Sequence, residues 1–147
     1  MKLKSSVFEE SQPIPTIYTC DGDNINPHLD ISEVPANAQS LVLIVDDPDA
    51  PNGTFTHWMV WDIPPQTREI SENSYPEGSV QGINSAGQVG YIAPCPPKGL
   101  HHYHFKIYAL SRKLTITQNI SREELEREMD GSIIEETEIV GTYSRGN

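Results

Sequence analysis

The chain has 147 residues, with 21 acids against 10 Lys and Arg and a formal net charge of −11. That length suits one domain over residues 1–147 with a core large enough to stand without metal or disulfide staples. The charge opposes phosphodiester backbones and anionic bilayers, so nucleic acid and bulk membrane surfaces are poor partners.

The opening MKLKSSVFEESQPIPTIY contains no apolar run of signal-peptide length, and no later window approaches a membrane span. The expectation is a cytoplasmic protein without membrane insertion. Cys20 and Cys95 are too few for a disulfide framework and lack CxxC spacing, so buried free thiols are favoured over a single bridge. Ser40 to Asp46 is apolar on both faces, and THWMVWDI from Thr56 to Ile63 is rich in aromatic and β-branched residues. Both read as central strands, with Asn52-Gly53 supplying the reversal between them. Glu72 to Gly99 is loaded with Gly, Pro, Ser and Asn and has no clear period, which in a compact domain suggests a loop serving a site. Leu100 to Leu110 again alternates as a strand. Ser121-Arg-Glu-Glu124 forms a capping box ahead of LEREMD, and Gly131 can end the turn, which predicts one short helix near 121–130. IIEETEIVGTYS then returns to strand. Strands punctuated by turns, with one late helix, predict a mostly β domain: a β-sandwich of two antiparallel sheets with a short helix near the C-terminus and a long Gly/Pro-rich pocket loop.

Two stretches carry candidate chemistry. LVLIVDDPDAPNGTFTHW, residues 41–58, runs a core strand into crowded aspartates, although burying carboxylates costs free energy unless they are paired. Pro48 and Pro51 stiffen the loop, and a hairpin would return His57 close to the acids. A carboxylate accepting from one imidazole nitrogen fixes the tautomer and frees the other nitrogen as a donor once the ring is protonated. A solvated turn beside a satisfied core histidine fits this stretch equally well. By alternation His57, Met59, Trp61 and Ile63 share one face, while Trp58 and Trp61 are assigned to the core or a dimer interface rather than to a ligand platform. In APCPPKGLHHYHFKIYAL, residues 93–110, alternation sets His101, Tyr103, Phe105 and Ile107 on an apolar face, opposite His102, His104, Lys106 and Tyr108. Two histidines, a tyrosine and paired acids at strand ends, walled by prolines, make a small pocket rich in donors, which suits an anion.

DPDAP at 47–51, HWMVWDIP at 57–64, GYIAPCPP at 90–97 and HHY at 101–103, in that order, resemble the phosphatidylethanolamine-binding protein family. The short loop after DPDAP and the ending EIVGTYSR resemble its prokaryotic branch, the Raf kinase inhibitor-like proteins, and the similarity runs from Ser6 to Arg145. The resemblance implies a two-sheet sandwich whose pocket takes phosphate, acetate or a phospholipid head group. By motif position Asp47, His57, His101 and Tyr103 match the pocket residues, Pro51 and Pro97 its walls, and Asp49 a supporting acid. His102 stands where the family usually has Arg. The longer loop and C-terminal helix of animal members are missing, so eukaryotic kinase regulation and flowering signals do not carry over. Prokaryotic relatives also suggest a symmetric homodimer.

Other chemistries compete for the same residues. The HxH spacing of His102 and His104, or His57 with the aspartates, could hold zinc, although an exposed polar face and proton sharing account for them without metal. Cys95 is the one candidate nucleophile for a hydrolase, set against packing as a small apolar thiol. The resulting expectation is a non-enzymatic binder of a small anion or phosphorylated group, including one carried by a partner protein, with no cofactor and no resident metal. The alternative is a protease or kinase inhibitor acting through loops around the pocket.

Overall fold

A computed structural model describes residues 1–145. Among the described residues nine strands form two sheets, accompanied by one α-helix. The small sheet has the order β1-β3-β6, from β1 (Lys2–Lys4), β3 (Leu29–Ser32) and β6 (Glu69–Ile70). The large sheet has the order β2-β9-β8-β4-β5-β7, from β2 (Gln12–Pro13), β9 (Ile133–Tyr143), β8 (His101–Leu110), β4 (Ser40–Asp47), β5 (Phe55–Ile63) and β7 (Val80–Gln81). All pairings are antiparallel except the two-residue contact of β2 with β9, which is parallel.

Strand β4 is buried along its whole length, because the large sheet is covered on both faces. Leu41, Leu43, Val45, Trp58, Val60, Phe105 and Ile107 pack with Leu3, Leu29, Ile31 and Ile70 of the small sheet to make the inner core. Val42, Ile44, Met59, Trp61 and Leu110 make an outer core with Leu114 and with Leu125 and Met129 of the helix α1 (Arg122–Met129). The near-continuous apolar run of β4 is the sequence trace of a strand buried on both faces. Trp58 and Trp61 are both fully buried in these cores, so neither is available for an interface.

Helix α1 starts where its capping box predicts. The Ser121 side chain accepts from the Glu124 amide, and Glu124 accepts from the Ser121 amide. Gly131, at φ +80°, takes the left-handed conformation that ends it. The reversal between β4 and β5 is closed by Gly53 N–H donating to the Ala50 carbonyl at 3.2 Å, with Gly53 at φ +102°.

The simple alternation expected along β5 fails. Val45 pairs with Trp58 and Asp46 with Thr56, so His57 is an extra residue; Leu41 pairs with Ile63 and Leu43 with Val60, which inserts another at Trp61–Asp62. Each β-bulge flips the phase of the residues beyond it. His57 therefore lies in the pocket beside Tyr103, while Met59 and Trp61 turn to the outer core and Ile63 returns to the inner one. The second bulge, with Asp62 at φ +53°, aims the Asp62 carboxylate at the Leu114 and Thr115 amides, 2.8 and 2.9 Å away, and so pins the connection to α1.

The cysteine expectation is also overturned. Cys20 and Cys95 form a disulfide with a Cα separation of 5.3 Å, and both residues are exposed rather than buried. Their apposition is a tertiary event, with Cys20 N–H donating to the Pro94 carbonyl at 3.0 Å, and a sequence separation of 75 gives it no local signature. In the chain-entropy picture, closing a loop of this length contributes roughly 4 kcal/mol.

Candidate anion pocket

The strand ends of β4, β5 and β8 meet at one edge of the large sheet, where the Pro-rich loop crosses them. They enclose a cavity of about 230 Å³ lined by Asp47, Pro51, His57, Pro97, His101 and Tyr103, six of the seven residues singled out in the sequence. Ala50, Phe55, Ile92, Ala93, Cys95 and Pro96 complete the lining. The cavity is dominated by apolar walls, with its polar groups few and buried: Asp47, His57, His101 and Tyr103 are 3, 5, 6 and 1% exposed.

Asp47 and the two histidines are each held in one orientation by hydrogen bonds. Asp47 accepts from His101 Nδ1 at 2.6 Å through one oxygen and from the Asp49 amide at 2.8 Å through the other. His57 Nδ1 donates to the Ile92 carbonyl at 2.6 Å. A carbonyl only accepts, so the Nδ1 proton is fixed and neutral His57 keeps its lone pair on Nε2. Both rings thus commit Nδ1 to the protein. The His57 ring meets Tyr103 edge-on at 5.3 Å between centroids, and the His101 ring stacks on Tyr103 at 6.4 Å.

Burial holds the His57 imidazolium below its ordinary range, opposed in part by the Ile92 hydrogen bond and the charges of Asp47 and Asp46. Burial also pushes the Tyr103 phenol upward, with Asp47 and Asp49 adding to the effect, so that the hydroxyl remains a proton donor at any physiological pH. The chemical capacity is therefore one permanent O–H donor and two oriented imidazole rings that become donors on protonation, in a low-dielectric recess.

Asp49 does not line the cavity. Its carboxylate accepts from the His102 amide at 2.9 Å and from His102 Nδ1 at 2.7 Å, which ties the DPDAP loop to the start of β8, and the pair holds Asp49 below the usual carboxylate range. His102 thus supplies a contact at the position where the family usually has Arg. His104 pairs separately with Glu138 at 3.0 Å, so the HxH pair is divided between two carboxylates. Among the described residues the ligating atoms that do gather within 4.8 Å of one another belong to His28, Asp30 and Glu69, a different trio. Among the lining residues not singled out, Phe55 was foreshadowed by its place two residues before His57. Cys95 and Pro96 lie inside the quoted GYIAPCPP, whereas the role of the Ile92 carbonyl has no side-chain signal.

A sandwich of this topology with an imidazole-tyrosine-carboxylate recess at the strand ends defines a class. The model of the phosphatidylethanolamine-binding protein family matches residues 4–144, and the chain belongs to that family. It is 52% identical over 155 aligned positions to the UPF0098 protein PH1269 of Pyrococcus horikoshii, covering 99% of this chain and 78% of that protein. It is 49% identical to a UPF0098 protein of Aquifex aeolicus, covering 99% and 89%. Among solved structures, a phosphatidylethanolamine-binding protein homolog from Chlamydia trachomatis, CT736, superposes with a TM-score of 0.94 at 42% identity over 97% of this chain and 96% of its own. YbcL of E. coli, described as a member of the mammalian family, gives 0.90 at 31% identity over 97% of both chains.

Proposed function

We propose that the protein is a non-enzymatic receptor for a small anion or a phosphorylated group, free or displayed on a partner protein, which it binds in the recess of Tyr103, His57 and His101. The observation that supports this reading most is the arrangement of Asp47. Its carboxylate lines the recess with both oxygens engaged, one by His101 Nδ1 and one by the Asp49 amide, so the acid orients a donor ring. At about 230 Å³ the cavity falls below the usual span of drug-sized sites, which suits a phosphate-sized group. In the disulfide form the Cys95 sulfur is bonded to Cys20 and is not a free nucleophile.

No helix among the described residues is long and apolar enough to cross a membrane. The cytoplasmic placement read from the sequence must accommodate an exposed disulfide, which mesophilic cytosol seldom preserves and the cytosol of hyperthermophiles does.

Calorimetric titration with sulfate tests the site. Tyr103→Phe removes one neutral hydrogen bond, worth about 0.5–1.5 kcal/mol, and should weaken sulfate several-fold to tenfold. His104→Ala, on the opposite face of β8, should leave affinity nearly unchanged. Equal losses from the two variants would reject the site.

A further inference from the structure

The Cys20–Cys95 disulfide lies at the anion pocket. Cys95 is part of the pocket lining, and it stands in the run Pro94-Cys95-Pro96-Pro97. Proline has no amide proton, so within this run Cys95 alone carries one, and the segment cannot be held to its neighbours by a backbone ladder. What fixes the wall is a short set of ties just before it, together with the disulfide. Ile92 N–H donates to the His57 carbonyl at 3.0 Å, Ala93 N–H to Asn24 Oδ1 at 2.8 Å, the Tyr91 hydroxyl to the Tyr18 carbonyl at 2.9 Å and Cys20 N–H to the Pro94 carbonyl at 3.0 Å. Three of these four ties, and the disulfide, run to the single segment 18–24. That segment is itself anchored to the sheet, because Asp21 accepts from the Tyr143 hydroxyl at 2.6 Å and from the Arg145 guanidinium at 2.8 Å. Both cysteines are exposed residues, so the bridge lies at the surface, where thiol–disulfide exchange depends on access of the attacking thiolate.

We infer that the Cys20–Cys95 disulfide is a modification site for a dithiol reductant and that its reduction loosens the proline wall and lowers the affinity of the pocket for anions. In the reaction, a thiolate of the reductant attacks one cysteine sulfur and displaces the other as a thiolate. The second thiol of the reductant then resolves the mixed disulfide. The protein gains two electrons and two protons, and the reductant leaves as its disulfide. The His57 ring is affected at second hand, since the Ile92 carbonyl that orients it is the first residue of the loosened strand of chain. A pocket closed for only part of the time binds more weakly by that fraction.

The affinity part of this inference rests on the anion-binding reading; the reduction and the loosening of the wall do not. The intact protein is treated with dithiothreitol without denaturant, alkylated and weighed, and compared with the Cys20→Ser/Cys95→Ser double variant. Both cysteines should be alkylated in the folded state; alkylation that appears only in denaturant would overturn the proposal. Hydrogen exchange should then accelerate at the Ala93 and Cys20 amides in the reduced protein and in the double variant, with Ile44 and Phe105 unchanged. Unaltered exchange at the wall, or equal acceleration throughout the chain, would mean that the bridge is only a global staple. Sulfate affinity, measured on both redox forms, should fall at least about threefold on reduction, as expected if the wall is closed a third of the time or less. A loosened wall with unchanged sulfate affinity would refute the coupling. If the oxidised protein binds no sulfate, the anion-binding function fails, while the alkylation and exchange results still decide whether the wall is redox-controlled.

Discussion

Asp46 and Asp47 are neighbours on β4, 1 and 3% exposed, and they face opposite sides of the large sheet. The outward one, Asp46, accepts from Lys106 Nζ of β8 at 3.0 Å and from Arg122 Nη1 at 2.7 Å, two cationic groups of which the second also ties α1 to the sheet. The inward one, Asp47, meets a histidine and a backbone amide. An acid saturated by fixed cations has its charge cancelled and its geometry closed, which suits a structural tie. An acid whose partner is a titratable ring passes its orientation on to that ring's other nitrogen, which suits a binding site. Two identical side chains, one residue apart, are thus separated in role by the pleat of the strand and by what the neighbouring elements place against each face.

The largest effect that could break this comparison is on stability. Asp46→Ala leaves two partly exposed cations facing each other without their acid and should cost on the order of 3 kcal/mol. Its sulfate affinity, measured on the folded fraction, should stay within about twofold of the parent, because the pocket lies on the other face. A larger loss of affinity would show that the two aspartates act as one unit. Next in size, Asp47→Asn keeps an acceptor for His101 but removes the charge. Sulfate binding should weaken by about tenfold, or 1.4 kcal/mol, despite the loss of a negative charge beside an anion site. Tighter binding would mean that Asp47 repels the ligand.

A smaller effect concerns pH. His57 is held below its unfolded value by burial, so in the folded protein its neutral form is favoured. The unfolded chain then binds the extra proton first. The stabilising contribution is complete above the unfolded value of about 6.5 and declines as pH falls from there through the depressed folded value. Asp47, Asp46, His101 and the Ile92 carbonyl are the groups that act on this ring, and its protonation supplies a new donor to an anion. Thermal melts below pH 6.5 should therefore show an acid loss that sulfate reduces, and His57→Gln should remove that part of the sulfate effect. An acid limb unchanged in His57→Gln would assign the titration elsewhere.

How far these features can be read from sequence depends on the local backbone. On β8 the pairing with β9 is uninterrupted from His101 to Ala109, so period-two counting put His101 and Tyr103 on the inner face and His104 and Lys106 on the outer one correctly. On β5 two bulges break the count, and nothing in THWMVWDI marks them, since Asp62 is neither Gly nor Asn and the His57–Trp58 step is unremarkable by composition. The capping box of α1 was legible because its hydrogen bonds lie within four residues. The Cys20–Cys95 pair was not, because its geometry is made by loops far apart in the chain. The Glu72–Gly99 run hid a two-residue edge strand, β7, too short to show a period, and the Gln81 side chain that accepts from Trp58 Nε1 at 2.8 Å.

The contrast between the two faces can be put to the molecule directly by soaking crystals in selenate and locating the selenium by anomalous scattering. Both faces offer cationic or proton-donating groups, and the outer groove with Lys106 and Arg122 is the larger recess. The account predicts one strong peak within hydrogen-bonding distance of the Tyr103 hydroxyl and the His57 and His101 rings, lost in Tyr103→Phe and retained in His104→Ala. A peak beside Lys106 and Arg122, with the inner recess empty, would contradict it.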